Sequence, residues 1–126
     1  MERTIENMFI WRQSRIVVKQ IYQMFSDSKD FGFKDQIQRA AVSIMNNIAE
    51  GFDSGSDAKF INYLNIAKGS CSEVRSMLYL CEDLGFCDSE TRLNLQNAVK
   101  RITAGIVNLI GIISNEAQQY PQRLEV

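Results

Sequence analysis

The chain has 126 residues with one proline, seven glycines, three cysteines and no histidine, and its 14 Lys+Arg against 15 Asp+Glu leave a formal charge of -1. That length supports one domain that buries roughly 65% of its unfolded surface without disulfides or metal. Lacking histidine, it can build no Ser–His or Cys–His nucleophile pair, no His–Glu zinc site and no imidazole proton relay.

The only proline, Pro121, lies near the C-terminus, so nothing before it forbids long helices. Glycine and small polar residues cluster at Ser26–Gly32, Asp53–Ser56 and Gly85–Ser89 and divide the chain into four segments. In the first, Phe9, Ile16, Val17, Ile21, Met24 and Phe25 fit a helical stripe better than strict alternation. In the second, Ile37, Ala41, Ile44, Ile48 and Phe52 share one helical face. The third repeats Phe60, Leu64, Ala67, Cys71, Val74, Leu78 and Cys81 at steps of four and three, a single packing seam. Ser56 is placed to cap its start, Asp57 suits its first turn, and Gly85 can take the left-handed conformation that ends it. The fourth carries Leu95, Val99, Ile102, Ile106, Leu109 and Ile113, opens at Asp88 or Ser89, and frays from Glu116 onward. Four helices joined by short connections have antiparallel neighbours. The predicted fold is therefore all-α, an up-down-up-down four-helix bundle over residues 1–120 with a polar C-terminal tail at 121–126.

The fourth segment is more apolar than one seam requires, because Val107, Ile110 and Ile112 lie off its line. Each fully exposed Ile or Val forgoes about 1.5–3 kcal/mol of burial. With Gly105 and Gly111, these residues are expected to form an oligomer interface; the alternative is one broad core shared with the first helix. Gly69, Gly105 and Gly111 each cost about 1 kcal/mol relative to alanine inside a helix, which close approach of a neighbouring backbone would offset.

In an up-down bundle the first and third turns lie at one end, gathering Asp27, Asp30, Asp35, Glu82, Asp83, Asp88 and Glu90 against Lys29, Lys34 and Arg92. This acidic pole suits helix capping and solubility, and its spacing matches no calcium loop. No metal and no cofactor are expected. Arg12, Arg15 and Lys19 form a basic stripe on the first helix, and Lys100 with Arg101 lie on the fourth; these are the candidate nucleic-acid contacts. Arg39, Ser43, Asn47 and Glu50 fall at steps of four, four and three along the second helix, with Asn62, Asn65, Ser70 and Glu73 at matching depth on the third. A polar network between these helices is expected, Arg39 pairing with Glu73. Glu50 and Glu73 are the only candidates for a general base, and a catalytic reading would need them in an open cleft with Arg39 and Asn47. Cys71 and Cys81 occupy seam positions while Cys87 sits in a turn; with no CxxC pair and no apolar leader run, the expected setting is a reducing cytoplasm. No run approaches the ~20 uncharged apolar residues of a membrane span.

The stretch from Gly32 to Phe86 resembles the small bundle proteins encoded in intervening sequences of bacterial 23S ribosomal RNA genes. RAAVSIMNNIAEG (Arg39–Gly51), Phe60 of KFINYL, AKGS (Ala67–Ser70), Glu73 and the closing Leu84–Gly85 carry the resemblance. It implies a left-handed up-down four-helix bundle, assembly into homo-oligomers, commonly ring-shaped pentamers, and no catalysis. A related branch, the accessory variability determinant of diversity-generating retroelements, is a strongly basic pentamer that contacts nucleic acid and a reverse transcriptase; this chain, with a pI of about 5.4, is slightly acidic instead. The expected function is that of a non-enzymatic, cytoplasmic, oligomeric bundle that binds structured RNA or a ribonucleoprotein. The alternative is a protein–protein scaffold without nucleic-acid contact.

Overall fold

The computed structural model describes residues 3–119, and the polar tail expected at 121–126 lies outside them. A 3-10 turn at Ile5–Asn7 precedes four helices: α1 (Phe9–Met24), α2 (Phe31–Phe52), α3 (Asp57–Asp83) and α4 (Ser89–Gln119). Among the described residues there is no strand. Consecutive helices pack together and α1 closes on α4. The rings of Phe25, at the end of α1, Phe33, in the first turn of α2, and Phe86, just past α3, meet with centroids 5.0–5.9 Å apart. The first and third turns therefore share one end, as an up-down-up-down order requires.

The helix ends follow from local chemistry. Asp30 Oδ1 accepts from Phe33 N at 3.2 Å, Ser56 Oγ from Lys59 N at 3.2 Å and Asp88 Oδ1 from Thr91 N at 2.8 Å, satisfying amides that the first turns leave open. Of the two caps expected for α4, Asp88 takes the role. Gly85 has φ +79, and Phe86 N and Gly85 N bond back to Cys81 O at 2.8 Å and Glu82 O at 3.0 Å, the paired bonds of a glycine-terminated helix. At its other end α4 is helical through Gln119, the last described residue, beyond the fraying expected at Glu116.

The seams expected for α2, α3 and α4 form the core, with Phe52, Phe60 and Leu109 partly buried at its margin. On α1 the expected Val17, Ile21 and Phe25 are buried and Met24 packs at the margin, but Phe9 and Ile16 are corrected: they are 47% and 48% exposed, and Ile10 and Ser14 complete the buried face. Ser14 can stand in an apolar row because its Oγ donates to Ile10 O at 2.6 Å within the helix. The glycines are corrected as well. A Cβ on Gly105 would lie 2.5 Å from Ile10 Cγ2, so a side chain of α1 fills its notch, whereas Gly69 and Gly111 face open space. At Gly51 a Cβ would come within 2.9 Å of both Phe60 Cδ1 and Tyr63 Cβ, and α3 rests directly on that bare backbone.

All three cysteines are free, Cys71 and Cys81 fully buried and Cys87 half-buried. Burial pushes the Cys71 thiol up to about 11 and the Cys81 thiol up to about 12 from an ordinary 9.0. The fold therefore favours the protonated thiols; that stability is complete below pH 9 and is lost as pH rises through the interval to the folded values. Burial, and then the charges of Asp88 and Glu82, also raise Cys87. Since the thiolate is the nucleophile, brief native alkylation read by mass spectrometry should modify Cys87 first, faster as pH is raised, and leave Cys71 and Cys81 for the unfolded chain. Equal fast labelling of all three would contradict the burial of the two seam thiols.

Candidate nucleic-acid interface

Three polar arrangements hold the side chains singled out by the sequence. Between α2 and α3, Asn47 Nδ2 donates to Ser43 O at 2.8 Å and to Ser43 Oγ at 3.0 Å, Ser43 and Ser70 hydroxyls meet at 2.8 Å, and Ser70 Oγ donates to Ile66 O at 3.2 Å. A hydroxyl has one proton, so with Ser70 committed to Ile66 O, Ser43 donates to Ser70. Every hydroxyl proton in this relay has an acceptor, and its outcome is a fixed register between the two helices. Arg39, Glu50 and Glu73 are corrected out of the network: all three are exposed, and among the described residues Arg39 and Glu73 form no ion pair. They stand on the outer flanks of their helices, where neither long side chain reaches the seam. Glu50 borders a shallow cleft with Asp53, Lys59 and Tyr63, but Arg39 and Asn47 do not line it.

The sequence reading missed the second arrangement, between α3 and α4. Gln96 is buried; its Nε2 donates to Arg75 O at 3.0 Å and its Oε1 accepts from Arg92 Nη1 at 2.9 Å. Arg92 Nε bonds Glu82 Oε1 at 2.7 Å, and its guanidinium lies 5.3 Å from the Tyr79 ring centre. Arg92 is thereby consumed inside the acidic pole. Its signal was the pair Arg92/Gln96 at a step of four beside a seam.

The third arrangement is the face shared by α1 and α4. Charge is divided unevenly: residues 27–90 carry eleven carboxylates against six cations, and the rest of the chain carries eight cations against four carboxylates. Neither α1 nor residues 91–115 contain any Asp or Glu. On α1, Arg12, Arg15 and Lys19 are exposed and border a cleft of about 400 Å³ with Ile16. Arg12 Nη1 donates to Glu6 O at 3.2 Å, and the Arg15 guanidinium lies 5.8 Å from the Trp11 ring centre. Ile16 also borders a second cleft, of about 300 Å³, sunk between α1 and α4, whose polar lining is Gln13, Gln20, Asn94, Asn97 and Arg101. The two clefts meet at Ile16, so the α1 cations Arg12, Arg15 and Lys19 lie beside, not within, the groove that holds Arg101. Lys100 is exposed but about 100° round the helix from Arg101, off this groove. The amides were missed, although Asn94, Asn97 and Arg101 at steps of three and four, and Gln13 and Gln20 seven apart, mark one face of each helix.

The residues expected at an oligomer interface separate. Ile110 packs against the core and Gly105 receives Ile10, whereas Val107 and Ile112 remain 52% and 43% exposed. Ile112 borders an apolar cleft of about 320 Å³ with Met8, Phe9 and Leu109. Among the described residues no helix is long and apolar enough to cross a membrane, and no three His, Cys, Asp or Glu side chains are grouped to hold a metal.

The family model described as 23S rRNA-intervening sequence protein matches residues 6–108, which include α1 and most of α4 as well as the α2–α3 hairpin. A crystal structure from Bacteroides thetaiotaomicron, described as a protein with unknown function from the S23 ribosomal protein family, is similar with a TM-score of 0.74 and 28% identity, covering 80% of this chain and 97% of that one. No curated protein matches the chain.

Proposed function

The chain belongs to the 23S rRNA-intervening sequence protein family, and we propose that it is a non-enzymatic, homo-oligomeric bundle that binds structured RNA, free or within a ribonucleoprotein, through the face shared by α1 and α4. The observation that carries this reading is the segregation of charge: Arg12, Arg15 and Lys19 border a cleft on α1 that meets, at Ile16, the α1–α4 groove holding Arg101, with no carboxylate in α1 or between residues 91 and 115. Such a face attracts phosphates even though the whole chain is slightly acidic. The non-enzymatic part rests on the absence of histidine and on the α2–α3 relay, in which the partly buried Ser43 and Ser70 hydroxyls are hydrogen-bonded. The three free thiols fit a reducing, cytoplasmic setting.

Gel shifts with fragments of 23S ribosomal RNA at low and moderate salt test the RNA reading. Binding should weaken as salt rises, and changing Arg12, Arg15 and Lys19 together to Ala should lower affinity by about tenfold or more and flatten the logarithmic salt slope by about 2. No shift even at low salt overturns it and favours the second reading, a protein-binding scaffold, for which the exposed Phe9, Val107 and Ile112 speak. Those residues are the proposed subunit contact, with the pentamer following the family resemblance. Light scattering should return about five times the 14.4 kDa chain mass, and Ile112→Glu should dissociate the assembly. A 14.4 kDa particle for the parent chain at micromolar concentration excludes the oligomer.

A further inference from the structure

We infer that the groove between α1 and α4 selects unpaired RNA, taking the base edges of a single-stranded or looped segment while the cations beside it hold the flanking phosphates. This rests on the RNA reading above and specifies which form of RNA the site accepts.

The lining chemistry carries the inference furthest. Gln13 and Gln20 of α1 and Asn94 and Asn97 of α4 line one cleft, and among the described residues none of these four amides hydrogen-bonds within the chain. Gln13 is half-buried and Gln20, Asn94 and Asn97 are exposed, whereas Asn47 is committed to Ser43 and Gln96 to Arg92 and Arg75. Each free amide offers two donor hydrogens and a carbonyl acceptor. A phosphate only accepts, so the amide carbonyls need another partner, a ribose 2′-hydroxyl or a base edge. Base edges present donors and acceptors side by side, and an Asn or Gln amide matches adenine with a pair of bonds.

The floor points the same way. Ile16, Val17 and Ala98 lie beneath the amides, and Ile16, 48% exposed, borders both this cleft and the basic one. A base laid flat on Ile16 would cover that apolar surface while its neighbours' phosphates fall toward Arg12, Arg15 and Lys19 on one side and Arg101 on the other. An A-form duplex could meet the same cations and offer the amides its minor-groove 2′-hydroxyls, but its bases are stacked and their faces are closed to Ile16. It could not lay a base into a cleft sunk between two helices.

Fluorescence anisotropy decides the matter with a labelled RNA of about 12 nucleotides, a length within the usual range of single-strand sites, used alone and as a blunt duplex with its complement. The single strand should bind about tenfold more tightly than the duplex, the size of effect expected from one amide–base pair of hydrogen bonds. Gln13→Ala with Asn97→Ala should bring single-strand affinity down to the duplex level, with duplex affinity and melting temperature unchanged. Arg12→Ala with Arg15→Ala should weaken both forms. Equal affinity of the parent chain for the two forms, or equal losses in the amide variant, overturns the groove and leaves RNA binding standing. Failure to bind either form overturns the RNA reading and the groove with it. Displacement of the single strand by polyglutamate as effectively as by unlabelled RNA also overturns it, since charge alone would then account for binding.

Discussion

Replacing Phe25 with alanine is expected to lower the unfolding free energy by about 3–5 kcal/mol, the range for truncating a fully buried aromatic ring. Phe25 has no exposed surface and lies 5.9 Å from Phe33 and 5.0 Å from Phe86, ring centre to ring centre. Its removal forfeits the transferred surface and two tilted ring contacts, and leaves a void where three helices meet. Phe33 and Phe86, stacked at 5.5 Å with planes 14° apart, hold each other in place and cannot both turn into the gap. For a chain of this size the melting temperature should fall by about 10–20 °C. Phe25→Leu, which keeps most of the volume, should cost only about 1 kcal/mol. Urea titration checks both; a loss below about 1.5 kcal/mol for Phe25→Ala would mean that the pole closes over the cavity.

Gly51→Ala should destabilise by about 2–3 kcal/mol, although alanine is the better helix former by about 1 kcal/mol. The added methyl would meet Tyr63 Cβ at 2.9 Å and Phe60 O at 3.3 Å. Neither atom can move without its backbone, so α2 and α3 must part, and the Asn47–Ser43–Ser70 relay one turn away is strained with them. Gly69→Ala is the control. Nothing lies within 4 Å of its added methyl, so the same substitution in the neighbouring helix should stabilise by about 0.5–1 kcal/mol. Opposite signs in thermal unfolding of the two variants confirm that space, and not propensity, decides the outcome.

The contrast shows where sequence reading succeeds. The α2, α3 and α4 seams were legible because their apolar residues recur at steps that only a helix brings to one side, and Ser56, Asp88 and Gly85 end helices through bonds to residues three to five positions away. On α1, Val17, Ile21 and Phe25 were legible, but Phe9 and Ile16 were misplaced because hydrophobicity ranks them above Ser14, whose bond to Ile10 O lets a serine stand in the core. Ser43, Asn47 and Ser70 were legible as a shared polar depth, while the Arg39–Glu73 pairing failed because equal depth does not place two side chains on facing sides. The groove amides lie some eighty positions apart in the chain, and singly each is an ordinary solvated residue. Packing of α1 on α4 is what makes them one lining, and no local pattern encodes that packing.

The two ends of the bundle are closed unequally. Phe25, Phe33 and Phe86 join α1, α2 and the exit of α3, whereas at the far end the Phe52–Phe60 pair, 6.2 Å apart and edge to face, belongs to a single hairpin. There Ile10, in the first turn of α1, sits in the notch of Gly105 on α4. Local unfolding therefore has a preferred origin: the first turn of α1 can lift from α4 and reclose while the aromatic pole and the α2–α3 hairpin stay native, because that separation breaks no contact within either.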